Sequence, residues 1–277
     1  MTRVAVCQLA PVPGDPGARA RSVAAIETAL ADGAEVIVLP ELVVPGYTWD
    51  EGLLRAGAEP ADGETVAAWR DAIRGTGALV AGGIAERDGE QISNTALLVD
   101  ESGIVLHYRK LHLFAGERGV LAPGDLGLPV ADTAHGRIGL CICYDLRFVE
   151  VLRGLALQGA ELVCVPTAWT PGFDAEHWDA EGFCPQARNA LMQANLDGVA
   201  IACASQAGQP GDHLLLGSSV IGDARGRCLA GPIGGDESGI AVADVAPAGA
   251  EDRGGGILPL ADRRTDVYGL ELGGVRL

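Results

Sequence analysis

The sequence predicts a mixed α/β fold, built as one domain over residues 1–277. Two β-α-β units, an antiparallel meander between them and a composition suited to a large core predict it. Of the 277 residues, 48% are hydrophobic and 21% charged, as in ordinary globular proteins rather than disordered or membrane chains.

In chain order, Arg3 to Ala10 reads as a buried strand, Pro16 to Ala31 as an Ala-rich helix, and Glu35 to Leu39 as another buried strand. The unit recurs with a strand from Arg137 to Cys143, helical spacing over Leu146 to Leu157, and a short apolar strand from Glu161 to Val165. Even the junctions match: Gly33-Ala34-Glu35-Val36-Ile37-Val38-Leu39-Pro40 parallels Gly159-Ala160-Glu161-Leu162-Val163-Cys164-Val165-Pro166. Two readings fit, duplicated halves or shared turn chemistry in which Gly ends the helix and Pro stops the strand. Between the units, Ala78 to Ala85, Ile92 to Asp100 and Ile104 to Arg109 form the meander, with Asp88-Gly89 and Ser102-Gly103 as turns. A helix over Gln186 to Asn195 follows the second unit. Strands over Val199 to Ser205, Leu214 to Ile221 and Gly239 to Val245 come next, and Arg253-Gly254-Gly255-Gly256 reads as a loop.

A formal charge of -17 without a basic cluster disfavours nucleic acid and anionic membranes as partners. No apolar run approaches the roughly 20 residues of a membrane-spanning helix, and the start Met1-Thr2-Arg3-Val4 lacks the cationic leader of an export signal. Seven cysteines, an odd number, fit reduced thiols. These observations predict a soluble cytoplasmic protein. The five histidines lack metal-ligand spacing, and pairs such as Gly82-Gly83 lack the downstream lysine of a phosphate loop, so neither metal nor nucleotide cofactor is expected.

Three positions stand out chemically. Cys143 lies where an apolar strand meets the polar Tyr144-Asp145-Leu146-Arg147. At a strand-to-helix turn, the helix dipole would lower the pKa of a thiol, and free backbone N–H groups would bind a developing oxyanion. Cys141, two residues back, would share its orientation but lie deeper, as a small hydrophobe. Glu41 ends an apolar strand, where it reads either as a partly desolvated general base or as a loop carboxylate capping a turn. Lys110 ends another strand, as a solvated strand end or as a buried cation that stabilises a tetrahedral intermediate. Packing is the default for Cys7, Cys164, Cys184, Cys203 and Cys228, with Cys184 kept as a possible neighbour of the pocket.

Pro40-Glu41-Leu42 with Pro45-Gly46-Tyr47, Tyr108-Arg109-Lys110-Leu111-His112-Leu113, and Cys143-Tyr144-Asp145-Leu146-Arg147-Phe148 together resemble the three signature blocks of the nitrilase superfamily, in family order. The likeness extends to Pro123-Gly124-Asp125, Leu216-Gly217-Ser218-Ser219 and Arg263-Arg264-Thr265-Asp266-Val267-Tyr268. It implies a four-layer α-β-β-α sandwich and a cysteine hydrolase without cofactor. Glu41 would be the general base, Cys143 the nucleophile, and Lys110 with the Tyr144 backbone N–H the oxyanion site. Glu117 matches the family's second glutamate, which orients substrate and lysine.

Tyr144-Asp145 after the cysteine resembles the amidase and carbamoylase branches, whereas nitrile-cleaving members carry Trp-Glu there. The expected reaction is hydrolysis of a small amide through a thioester; hydrolysis of a nitrile or an N-carbamoyl compound is the alternative, and an inactive binding protein the non-enzymatic one. Selectivity is expected from Thr167, Ala168, Trp169 and the loop through Phe173, with His177-Trp178, Tyr47 and Trp49. Phe183-Cys184-Pro185-Gln186 departs from the common family form. Members pair through helices near the nucleophile, so the resemblance also implies a homodimer or larger even assembly.

Overall fold

The computed structural model describes residues 1–10, 12–210, 213–246 and 259–276. The predicted loop at Arg253 to Gly256 lies outside them. Two six-stranded sheets pack face to face between helices. The first orders its strands β14-β1-β2-β3-β4-β5, from β1 (Thr2–Gln8), β2 (Val36–Val38), β3 (Leu79–Asp88), β4 (Gln91–Asp100), β5 (Gly103–Arg109) and β14 (Gly239–Val245). The second runs β13-β12-β9-β8-β7-β6, from β6 (Val130–Thr133), β7 (Gly136–Leu140), β8 (Leu162–Thr167), β9 (Ala200–Ser205), β12 (Val220–Gly222) and β13 (Cys228–Ala230). Two short pairs complete the strands: β10 (Ala207–Gly208) with β11 (Leu215–Leu216), and β15 (Glu271–Leu272) with β16 (Val275–Arg276). Helices α1 (Ala18–Ala31) and α3 (Glu64–Ile73) cover the first sheet, while α4 (Val149–Leu157) and α5 (Pro185–Asp197) cover the second. This is the four-layer α-β-β-α sandwich of the nitrilase fold.

Each sheet has three parallel central strands, β1-β2-β3 in one and β7-β8-β9 in the other, with antiparallel strands outside. Because these strands are buried on both faces, they read as continuous apolar runs rather than alternating ones. The repeated junctions also share their hydrogen bonds. Gly33 and Gly159 both take positive φ, +81° and +87°, at the end of a helix. Ala34 N–H then donates to Ala29 O, and Ala160 N–H to Leu155 O. The carboxylates of Glu35 and Glu161 accept from the Arg3 and Arg137 N–H groups at 2.8 and 2.9 Å. Topology and turn chemistry therefore repeat together.

The structure departs from the sequence reading in four places. Helix α1 begins at Ala18, two residues past the expected Pro16. The expected helix from Leu146 begins only at Val149, because Cys143–Arg147 first forms a 3-10 turn. The expected strand from Leu214 to Ile221 is split into β11 and β12, because Gly217 and Ser218 both take φ +59° and leave the extended region. Two unanticipated helices, α2 (Glu51–Gly57) and α3, fill the gap before β3. Their signals were local: Asp50 Oδ1 accepts from Leu53 N–H at 2.9 Å as an N-cap, and Val66, Trp69 and Ile73 recur at helical spacing toward the core. Among the described residues, no helix is long and apolar enough to cross a membrane.

Candidate active site

Glu41 follows β2, Cys143 follows β7 and Thr167 closes β8, so all three lie beyond the carboxyl ends of central parallel strands, where open α/β sheets gather ligands. Lys110 follows β5, and Glu117 lies in a 3-10 turn over Ala115–Gly119. Glu41, Lys110 and Glu117 are fully buried, so the capping reading of Glu41 and the solvated reading of Lys110 both fail. Lys110 Nζ donates to Glu41 Oε1 at 2.6 Å and to Glu117 Oε1 at 2.9 Å. Phe114 N–H donates to Glu117 Oε2 at 2.7 Å, fixing that carboxylate from behind.

Two carboxylates thus face one ammonium without solvent, an arrangement that shifts every group in it. Burial pushes the Glu41 carboxyl above the ordinary carboxylate range, and Glu117 adds to the rise; Lys110 and Asn94 only partly oppose it. Burial alone would pull the Lys110 ammonium down, but the two carboxylates outweigh it and keep the amine charged. Among the described residues, Oε2 of Glu41 is buried without a hydrogen-bond partner. Its lone pairs are the unused proton-accepting capacity of the site.

Cys143 takes φ +45°, a conformation rare for a non-glycine residue. That turn ends the strand alternation, so Cys143 does not share the orientation of Cys141: the former lines a cleft, while the latter is sealed in the hydrophobic core. The dipole expectation for the thiol is also overturned. Burial pushes the Cys143 thiol well up and Glu41 raises it further, while Lys110 and the Ala168 backbone N–H pull it down by less. The cysteine opens a five-residue 3-10 turn, too short to build the macrodipole of an α-helix.

The cleft is lined by Phe114, Cys143, Tyr144, Trp169, Phe173 and Gln186 among others. Of the four expected substrate contacts, Tyr144 and Trp169 are on its wall. Tyr47 and Thr167 lie deeper. The Tyr47 hydroxyl donates to Glu117 Oε1 at 3.3 Å and accepts from Trp49 Nε1 at 3.2 Å. Thr167 O accepts from the Glu41 and Gln206 N–H groups at 3.3 and 3.1 Å, pinning the glutamate's backbone. Cys184 is buried as the N-cap of α5, away from the cleft lining.

Two buried groups, Asn94 and Gln206, escaped the sequence reading, and a third, Asp145, entered it only as part of a motif. Asn94 Nδ2 donates to Glu41 Oε1 at 2.7 Å and to Glu117 Oε1 at 3.3 Å. Gln206 Nε2 donates to Glu41 O, and its Oε1 accepts from Tyr47 N–H at 3.2 Å. Asp145 accepts from Ile142 N–H at 3.0 Å, Tyr108 OH at 2.7 Å and His112 N–H at 3.1 Å, fastening the cysteine turn to the lysine loop.

The carbon-nitrogen hydrolase family model matches residues 3–253, and the chain belongs to that family, within the nitrilase superfamily. Among individual relatives, a nitrilase of Pyrococcus abyssi is 36% identical over 60% of this chain and 64% of its own length. An (R)-stereoselective amidase of a Pseudomonas species is 32% identical over 82% of this chain and 79% of that protein. The human omega-amidase NIT2 is 28% identical over 91% of both. Among solved structures, an amidase from Nesterenkonia sp. superposes with a TM-score of 0.77 at 26% identity, covering 96% of this chain and 94% of that one. A mutant of the Nesterenkonia sp. AN1 amidase has been solved in complex with butyramide.

Proposed function

We propose that this chain hydrolyses the C–N bond of a small carboxamide, with Cys143 as nucleophile and Glu41 as general base. The observation that carries the reading is the buried Glu41–Lys110–Glu117 set beside a cysteine on a cleft wall, with one glutamate oxygen unpartnered. Because burial keeps the Cys143 thiol protonated, attack requires Glu41 to take that proton as the S–C bond forms. Lys110 and the Tyr144 backbone N–H hold the resulting oxyanion. Glu41 returns the proton to the departing nitrogen, the C–N bond breaks, and a thioester remains. Water then attacks the thioester, Glu41 accepts a proton from it, and the thiolate leaves and is reprotonated. Glu117 orients Lys110.

The raised Glu41 carboxyl serves both directions of this transfer, since a base closer to neutral pH is also the better acid. The relatives named as amidases and the butyramide complex of the Nesterenkonia enzyme support an amide over a nitrile. The same reading extends to a homodimer: α4 and α5 leave Val149, Met192 and Leu196 exposed as an apolar surface near the cysteine turn, and sedimentation at the dimer mass would check it. For the chemistry, the deciding experiment is ammonia release from short aliphatic amides by the wild type, Cys143→Ala and Cys141→Ala. A loss of at least about a thousandfold in Cys143→Ala alone is expected. Equal rates in all three proteins, or none in any, would overturn the reading.

A further inference from the structure

The cleft wall is mostly apolar or aromatic: Phe114, Leu146, Ala168, Trp169 and Phe173 line it around Cys143. Into this lining the N-terminal part of α5 introduces two amides, Gln186 and Asn189, three residues apart on one helix face. Gln186 is 7% exposed. Its Nε2 donates to Thr170 O at 2.7 Å, which fixes the orientation of the amide, since the opposite orientation would set two oxygens against each other. Among the described residues, its Oε1 is buried with no hydrogen-bond partner.

An unpaired buried acceptor is costly relative to a paired one, and an apolar side chain of the same length would avoid that cost. A glutamine locked in this way on a cleft wall is a recognition element whose partner arrives with the ligand. The group that completes it is a donor, O–H or N–H. We infer that Gln186 determines specificity, and that the preferred substrates are short carboxamides bearing a hydroxyl or amino substituent on the acyl chain. This rests on the amide-hydrolase reading above. The aromatic walls enclose the carbon chain, Gln186 Oε1 accepts from the substituent, and Asn189 stands one turn along the same face toward solvent. A site built to bond a polar substituent discriminates against the analogue that lacks it more strongly than an apolar pocket does against an extra methylene, because the unsatisfied acceptor is left behind.

The experiment compares kcat/KM for ammonia release from butyramide and from 2-, 3- and 4-hydroxybutyramide. In the wild type, at least one hydroxylated isomer is expected to exceed butyramide by about tenfold or more. In Gln186→Met, which keeps the chain length and removes the acceptor, that ratio is expected to collapse toward one. Gln186→Asn, which keeps the amide but withdraws it by one methylene, should give an intermediate ratio. Where Gln186→Met fails to fold, the ratio in Gln186→Asn carries the comparison. No preference for any hydroxylated isomer, or a preference that survives Gln186→Met, overturns the assignment of Gln186 while leaving amide hydrolysis standing. No ammonia from any of the four amides overturns both.

Discussion

The Tyr108 hydroxyl donates to Asp145 Oδ2 at 2.7 Å, joining the strand that delivers Lys110 to the turn that begins at Cys143. The same hydroxyl accepts from Leu111 N–H at 3.3 Å, just past the lysine. Both side chains are fully buried, so the bond is shielded from water and sets the spacing of two site segments from opposite sheets. Tyr108→Phe would leave Asp145 a donor short and orphan the Leu111 N–H. A stability loss of about 1–3 kcal/mol in urea unfolding is expected, with a fall in kcat larger than any rise in KM. Unchanged stability would show that Asp145 is held adequately by Ile142 and His112 alone.

Asn94 is predicted to set the acid limit of activity. In the proposed mechanism Glu41 must be ionised to take the thiol proton, so kcat/KM is expected to fall as pH drops through the Glu41 pKa. Burial, with help from Glu117, raises that pKa, whereas Lys110 and the Asn94 amide lower it; Tyr47 and Cys143 complete the groups that face the carboxylate. Removing the 2.7 Å bond in Asn94→Leu must therefore move the acid limb of the pH profile upward. At neutral pH a rate loss of about ten- to a hundredfold is expected, recovering in part as pH rises. A variant slowed equally at every pH would mean that Asn94 only fills space.

Asn94 marks where the sequence stopped being legible. Glu41, Lys110 and Cys143 could be singled out as candidates because each follows a strand inside an ordered block. Asn94 lies inside β4, and the glutamates that it bridges are remote in the chain. No local spacing encodes that meeting; the hint was a run of three polar residues, Ser93-Asn94-Thr95, inside a strand and all buried. Similarly, most strand positions followed from periodicity, whereas the break at Gly217-Ser218 and the positive φ of Cys143 depend on tertiary contacts that no propensity scale contains. Tyr47 and Thr167 were read as substrate contacts because they adjoin the motifs. Adjacency in sequence put them near the site, and packing turned them inward.

Glu86 carries a separate prediction about acid stability. Its side chain lies between Thr95 Oγ1 at 2.6 Å, His107 Nε2 at 2.8 Å and the Arg109 guanidinium at 2.6 Å. Burial alone would raise the carboxyl, but the bonds to His107, Arg109 and Thr95 outweigh it and hold the pKa at about 2. A folded-state pKa below the unfolded one stabilises the native state above the unfolded value, and the benefit is lost as pH falls toward 2. Glu86→Gln should therefore cost on the order of 1–2 kcal/mol at pH 7, after allowing for solvent screening at the Arg109 end. The difference from wild type should shrink steadily below about pH 4. A constant difference across an acid titration, followed by thermal unfolding, would refute the linkage.

Gly83 tests whether the base depends on close backbone packing. The glycine pair in β3 lacks the downstream residues of a phosphate loop, and a glycine inside a strand often marks a near approach of another backbone. A Cβ at Gly83 would stand 2.5 Å from Leu42 N and 2.7 Å from Glu41 Cα, while one at Gly82 would meet the Trp69 ring at 2.6 Å. Neither Glu41 nor Leu42 can yield easily: Gly83 N–H donates to Pro40 O at 3.0 Å, Val43 N–H donates to Gly83 O at 2.9 Å, and Leu42 itself takes φ +43°. Gly83→Ala must push the Glu41 segment away from β3 and misalign its carboxylate with Lys110 and Cys143. A kcat loss of about a hundredfold or more is expected, because a displacement of about 1 Å suffices for that, with destabilisation of about 1–3 kcal/mol from overpacking. Gly82→Ala presses instead on a ring in the helix layer, so it should lower the melting temperature with a much smaller effect on kcat. Equal kcat losses in the two variants would show that the damage is general and that Gly83 has no special relation to the base.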